Sequence, residues 1–403
     1  MRVVVAGAHQ SVVGGAETYQ RDLISALRGR GHDVAHLCEL RATTGSPPID
    51  DGEAGIGQRW NVEELSETTA LRLVERWRPD VVYVHGLRAP GLETSLLARH
   101  RCVLFAHSYY GTCATGFKRH AFPDVQMCSR RIGLGCLALH YPRRCGGLDP
   151  GGMLRDYRVQ RRRFRLLHQY DAVLVASRHM FDEYLRHGVA RARLHLAPLP
   201  PTGIVPDAAP PPVSVRTDRV MLVGRLTALK GGHYLIEAMH EASRTLGRSL
   251  ILTVLGDGPE RARLQEACVR HGLAAEFPGW VSSSRRNELL RSSDLLAVPS
   301  LWPEPFGLAG IEAQCVGLPA VAFAVGGIPD WLIDGVTGAL APGDPPTPAG
   351  LAAAMVRVLA DWETHAALAQ AAWERGRERS MQAHLRDLEP LLAPTASTAG
   401  TGQ

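Results

Sequence analysis

The chain has 403 residues, enough for two or three domains that each bury a core. Hydrophobic residues make up 45% and charged residues 21%, the proportions of an ordinary globular protein. The net charge of +5 is too modest to call for a nucleic-acid partner.

Only Lys118 and Lys230 are lysines; every other cation is arginine. An ammonium is a compact point charge and a guanidinium a planar fork, so the two lysines stand out as places where a point charge is wanted. The opening "MRVVVAGA" reads as a strand and is too short for a signal peptide. No apolar segment reaches the roughly 18 residues that a spanning helix needs. The expectation is a soluble cytoplasmic protein, with surface attachment to a membrane left open. Eight cysteines in a chain of this length do not make a disulfide framework.

In chain order, "RVVVAG" (2–7), "DVAHLC" (33–38), "DVVYVH" (80–85), "CVLFAH" (102–107) and "DAVLVAS" (171–177) are predicted strands. The first two flank "AETYQRDLISALRGRG", where Tyr19, Leu23, Ile24 and Leu27 share a helical face and Gly31 stops the helix. This alternation predicts a parallel α/β domain over 1–200. An insertion at about 108–150 carries Cys113, Cys128, Cys136 and Cys145. Four cysteines there fit either a structural zinc or free thiols, and no Cys-x-x-Cys pair decides between them. The run "RDYRVQRRRFRLLHQYD" (155–171) sets Arg161, Arg162, Arg163 and Arg165 on a predicted helix. It fits either a solvated face or a peripheral contact with anionic lipid through 155–165.

The proline-rich "PLPPTGIVPDAAPPPVSV" (198–215) predicts a linker, placed at 201–218. Strands then resume at "RVMLVG" (219–224), "LILTVLG" (250–256), "DLLAVPS" (294–300) and "PAVAFAVGG" (319–327). "DAVLVAS" and "DLLAVPS" hint at two similarly built halves. A second α/β domain is expected over 219–375, a C-terminal helix crossing back to the first domain over 376–393, and a disordered tail over 394–403. Two such domains would face each other across a cleft at the carboxyl ends of their strands.

The chemistry-bearing residues gather at those ends. Arg225 closes one predicted strand and Lys230 follows, just before Gly231, Gly232 and a helix. Two cations on such a loop suit a diphosphate; the alternative is two solvated charges. Further on, Glu304 sits in a loop and Glu312 in the helix that Gly307 opens. A carboxylate accepts two hydroxyl bonds, so Glu312 suits a ribose diol and Glu304 a sugar; the alternative is an ordinary exposed Glu with a dipole pairing. His107 closes the fourth predicted strand and reads as a site residue or a satisfied core histidine.

Three motifs in order resemble the retaining nucleotide-sugar glycosyltransferases of the GT-B fold, family 4-like: "GGAETYQRDLISALRGRGHDV", "GRLTALKGG", and "EPFGLAGIEA" with seven residues between its glutamates. The resemblance covers nearly all of the chain except about 108–150. It implies two Rossmann-like domains and transfer, with retention, from a UDP- or GDP-sugar to an acceptor hydroxyl in polysaccharide, glycolipid or natural-product glycoside synthesis. It implies that Gly15 approaches the donor diphosphate, that Arg225 and Lys230 neutralise it, and that Glu312 holds the ribose. Glu304 would contact the sugar, with the amides of Phe306, Gly307 and Leu308 nearby. The base would rest near Gly279, Trp280 and Val281, and His107 would lie at the reacting face. The sequence lacks an Asp-x-Asp triplet, so fixed cations rather than a metal are expected at the leaving group. An epimerase or phosphorylase of the same fold is the alternative. A nicotinamide enzyme, with Glu39 on a ribose, is less consistent because "AGAHQSVVGG" lacks the G-x-G-x-x-G spacing. A non-catalytic binding protein is the remaining reading.

Overall fold

The computed structural model describes residues 1–42, 46–50, 58–210 and 216–393. Part of the predicted linker (211–215) and the predicted tail (394–403) lie outside the described residues.

The strands are β1 (Arg2–His9), β2 (Asp33–Leu40), β3 (Arg59–Asn61), β4 (Val81–Val84), β5 (Cys102–Ala106), a small hairpin of β6 (Arg119–His120) and β7 (Gln126–Met127), then β8 (Ala172–Val175) and β9 (Leu194–Leu196). After the linker come β10 (Arg219–Val223), β11 (Ile251–Leu255), β12 (Ala275–Gly279), β13 (Leu295–Val298), β14 (Ala320–Phe323) and β15 (Gly338–Ala341). The first sheet runs β3-β2-β1-β4-β5-β8-β9 and the second β12-β11-β10-β13-β14-β15. Every pairing in both is parallel. Leaving out the hairpin, each sheet starts in the middle, winds outward, returns and winds the other way. This is the doubly wound order, so the two halves share one topology.

Strands β3, β9, β12 and β15 had no sequence-based expectation. The first two are three residues long and sit at sheet edges, and "AEFPG" of β12 carries a proline and a glutamate. Edge strands lack the continuous apolar run that marks a buried one.

The order reverses between β1 and β4 in one sheet and between β10 and β13 in the other. The loops leaving those strands carry Gly15, His85, Arg225, Lys230 and Glu304. Ligands bind at such switch points. The described linker residues are anchored: the Thr202 hydroxyl donates to Glu312, Gly203 N donates to Asp22 Oδ2, and Asp207 pairs with Arg291. The last helix, Met381–Leu392, buries Leu385, Leu388 and Leu392. It docks on the amino-terminal domain, with Arg30 and His32 on Glu389, and His384 on the Tyr19 hydroxyl at 2.7 Å. Among the described residues no helix is long and apolar enough to cross a membrane.

Candidate active site

Both glutamates of "EPFGLAGIEA", Glu304 and Glu312, are buried, each 5% exposed, so neither is an ordinary exposed Glu. Three donors converge on Glu304 Oε1: Lys230 Nζ at 2.5 Å, Ser300 Oγ at 2.6 Å and Trp302 Nε1 at 3.0 Å. Oε2 has no partner among the described residues. Carboxylates are buried only when paired and hydrogen-bonded, and this one keeps one oxygen free. Lys230 is thereby fixed at the site, and its ammonium also lies 6.0 Å from the Trp302 ring centroid.

The loop bearing Lys230 is seated on the second sheet. Leu301 N donates to Leu229 O at 2.8 Å. Gly231 has φ +66°, and a Cβ there would lie 1.9 Å from Pro299 O. Arg225, at the end of β10, is exposed and pairs with nothing among the described residues. Its charge remains available to an anion.

Glu312 sits in the helix Leu308–Gln314. Its Oε1 accepts from the Thr202 hydroxyl at 2.7 Å and its Oε2 faces Arg286 Nη1 at 3.3 Å. Burial raises its pKa; Arg286 and Thr202 oppose the rise. Sequence reasoning missed both partners: Thr202 lies in the linker and Arg286 is one arginine among many. Phe306 is buried and its carbonyl accepts from Trp331 Nε1 at 2.7 Å. Gly307, at φ +104°, opens the helix. Trp331 also supports Gly310, where a Cβ would lie 2.1 Å from the ring. Neither the helix nor a fully buried indole can yield. Gly310→Ala should destabilise the protein by about 2 kcal/mol, overpacking outweighing alanine's better helix propensity. A denaturant midpoint equal to wild type would contradict this.

Gly15 lies across the cleft from this helix: a Cβ on it would come within 2.9 Å of Leu308 Cδ1. Trp280 is exposed and Val281 half-buried, both directly after β12.

His107 closes β5, and its Nε2 lies 2.9 Å from His85 Nδ1 at the end of β4. His85 Nε2 is buried without a partner. If that nitrogen carried the proton, an N–H would be buried with no acceptor, so Nδ1–H donates to His107. His107 then carries its own proton on Nδ1. Burial pushes its pKa down to about 3, so the ring is neutral. His85 was not foreseen, although "VVYVHG" ends a predicted strand just as His107 does. Both rings line a cavity of about 220 Å³ with Arg88 and Arg163, which also line a neighbouring cavity of about 680 Å³.

Glu39 accepts from the backbone N–H groups of Arg88 and Ala89 at 2.5 and 2.7 Å, at the start of the helix Pro90–Leu97. Its oxygens are engaged there, which weakens the nicotinamide alternative further. Lys118, the other lysine, is a buried pin: it pairs with Glu183 at 2.6 Å and donates to Arg130 O, tying the cysteine-bearing insertion to the domain.

The four insertion cysteines are free and half-buried. They are near enough that Cys113, Cys128 and Cys136 add to the burial that raises Cys145 to about 11. Among the described residues, however, no group of three or more His, Cys, Asp or Glu is arranged to hold a metal, so no zinc is assigned. In the basic run, Arg161 and Arg163 bond to backbone carbonyls of Ile132, Leu87 and Arg88, and Arg162 to Thr94. Arg155, Arg158, Arg162 and Arg165 remain exposed.

Residues 14–200 match the family described as glycosyl transferase 4-like domain, and residues 211–375 match glycosyl transferases group 1. The chain is 28% identical over 402 residues to glycogen synthase of Mycobacterium tuberculosis, covering 90% of this chain and 87% of that protein. Its fold is similar to Anabaena Alr3699/HepE in complex with UDP and glucose, at 18% identity and a TM-score of 0.68 over 96% and 98% of the two chains. It is also similar to sucrose-phosphate synthase from Thermosynechococcus elongatus, at 20% identity and a TM-score of 0.69 over 97% and 98%.

Proposed function

The chain belongs to the glycosyltransferases of the GT-B fold, and we propose that it moves a sugar from a nucleoside-diphosphate donor to an acceptor hydroxyl with retention of configuration, without a catalytic metal. The observation that carries this reading is the Lys230–Glu304 pair at the switch point of the second sheet, beside an unpaired Arg225 and with Gly15 across the cleft.

Breaking the bond from the sugar to the diphosphate sends the electron pair to the departing oxygen and leaves positive charge on the ring. Arg225 and Lys230 stabilise the negative side, acting where the charge develops and needing no reorganisation. Amides of Phe306, Gly307 and Leu308 add to them, with Gly15 leaving room for the diphosphate. Glu304, through Oε2, takes the sugar hydroxyls. Glu312 accepts from the ribose diol beside its bonds to Thr202 and Arg286, since a carboxylate has about four lone-pair sites. The base stacks near Trp280 and Val281. The acceptor hydroxyl enters past His107 through the cavities that share Arg88 and Arg163, and it attacks from the face the diphosphate leaves. Its proton passes to the departing phosphate oxygen. His107, being neutral, donates a hydrogen bond from Nδ1 and does not act as a cation. The exposed Arg155, Arg158, Arg162 and Arg165 lie on one helix face and suit peripheral contact with anionic lipid.

A panel of UDP- and GDP-sugars read by thermal shift tests the donor class. One of them at 100 times its Kd should add about 2.7 kcal/mol of stability. A panel with no shift at all would remove the reading. Incubating the bound donor alone separates the alternative: an altered sugar nucleotide would indicate an epimerase.

A further inference from the structure

Three successive carbonyls around Glu304 are each taken by a different donor. Pro303 O accepts from the Tyr109 hydroxyl at 2.6 Å, Glu304 O from Gly327 N at 2.7 Å, and Pro305 O from Ser177 Oγ at 2.6 Å. Tyr109 and Ser177 belong to the amino-terminal domain, and both are wholly buried. The loop they grip belongs to the other domain.

The direction of the Tyr109 network follows from its protons. A phenol has one, and Pro303 O can only accept, so the hydroxyl donates there. His179 Nε2, 2.9 Å from the same oxygen, must then be the donor. Burial lowers His179 to about 4, which makes its ring neutral with the proton on Nε2. Trp302, whose indole N–H reaches Glu304, stands edge-on to Tyr109 at 6.1 Å and packs against the amino-terminal core. Prolines on both sides of Glu304 have fixed φ and no N–H, so holding their carbonyls leaves the residue between them little freedom. From the carboxy-terminal side, a Cβ on Gly326 would lie 2.3 Å from Glu304 O, so the backbone there cannot retreat.

We propose that Tyr109 and Ser177 are positioning residues for Glu304. The amino-terminal domain aims the donor domain's carboxylate by gripping the backbone on either side of it, so Glu304 is set for transfer only when the two domains are together. This rests on the reading of Glu304 as the contact to the donor sugar. It adds a link between domain closure and that contact.

Tyr109→Phe removes one hydroxyl and keeps the ring. With the sugar nucleotide that the panel selects, kcat should fall about 10- to 100-fold, the cost of a misplaced reacting group. The Kd of the matching free diphosphate, UDP or GDP, measured by calorimetry, should change less than about twofold, because the cations that meet a diphosphate are untouched. Ser177→Ala, which also gives up a bond to Met180 N, is the second variant should Tyr109→Phe fold poorly. A wild-type kcat in both variants overturns the proposal. So does a loss of affinity for that diphosphate in proportion to kcat, since that would mean the loop merely shapes the pocket. Small-angle scattering gives a reading that needs no donor. The double variant should have a larger radius of gyration than wild type, and an unchanged radius counts against the grip. A wild-type protein that neither binds nor turns over any sugar nucleotide would instead remove the underlying function.

Discussion

Glu304→Gln should lower sugar transfer by about 10²-fold or more while the affinity for the free nucleoside diphosphate stays within a few-fold of wild type. The amide keeps the size of the side chain and can still accept from Ser300 and Trp302, which donate to Oε1 in the native protein. What it loses is the negative charge that, in the proposed transfer, faces a ring turning positive as the bond to the leaving group breaks. In the same proposed event Lys230→Ala would act on the leaving-group side. It removes a cation at 2.5 Å from Glu304 and leaves a buried carboxylate with two neutral donors. Breaking a buried pair costs about 3–5 kcal/mol; because the Lys230 side chain is about one-third exposed, the expectation here is reduced to about 1–2 kcal/mol. Donor-induced thermal stabilisation should disappear in Lys230→Ala. Its melting temperature without donor must be measured alongside, so that lost binding is not confused with lost stability. The double variant Lys230→Met/Glu304→Gln, with neither charge, should recover stability without recovering transfer. Normal turnover in Glu304→Gln, or an unchanged donor shift in Lys230→Ala, would take that residue out of the site.

Acidification should destabilise the fold steeply between pH 6.5 and 5. His36, His187 and His384 are buried, and burial pushes each down to about 4. Each has a structural reason to stay neutral. His187 Nε2 accepts from Ile132 N and its Nδ1 lies 2.8 Å from Glu183 O; His384 Nδ1 bonds to Pro198 O and Nε2 to the Tyr19 hydroxyl. Both ring nitrogens of His36 are buried without partners. Above pH 6.5 these rings are neutral folded and unfolded, and they contribute no pH dependence. Below it the unfolded chain takes up protons that the folded protein refuses until about pH 4, so stability falls with pH. The slope approaches about 1.4 kcal/mol per pH unit for each, and His85, His107 and His179, pushed down by the same burial, act in the same direction. Burial raises Glu39, Glu93, Glu183 and Glu312, which gain stability as pH falls through their folded values and return part of this loss. Denaturant midpoints from pH 7.5 to 5 test the net sign. His36→Leu should lower the slope by one ring's share, up to about 1.4 kcal/mol per pH unit. A flat profile would mean these rings are not held neutral.

The sequence was enough for the two-domain α/β architecture, and it singled out most of the candidate site residues, because both signals are written locally. Apolar runs such as "VVYV" and "AVLV" can only be strands buried on both faces, and the helices between them force a parallel sheet. Glycine just before a helix marks where backbone must turn or let something approach, which is how Gly231 and Gly307 could be singled out. Partnership between side chains is not local, and there the tertiary structure decided. That Lys230 ends on Glu304, that Thr202 of the linker and Arg286 hold Glu312, that His85 sets the tautomer of His107, and that Tyr109 and Ser177 hold the Glu304 loop all depend on segments 22 to 194 residues apart meeting within hydrogen-bond distance. Lys118 shows the difference most simply. As a letter it matched Lys230, one lysine among arginines; folding sent it into a buried ion pair that fastens an insertion, and left Lys230 at the cleft. A charge takes its role from what faces it, and what faces it is fixed only when distant parts of the chain pack together.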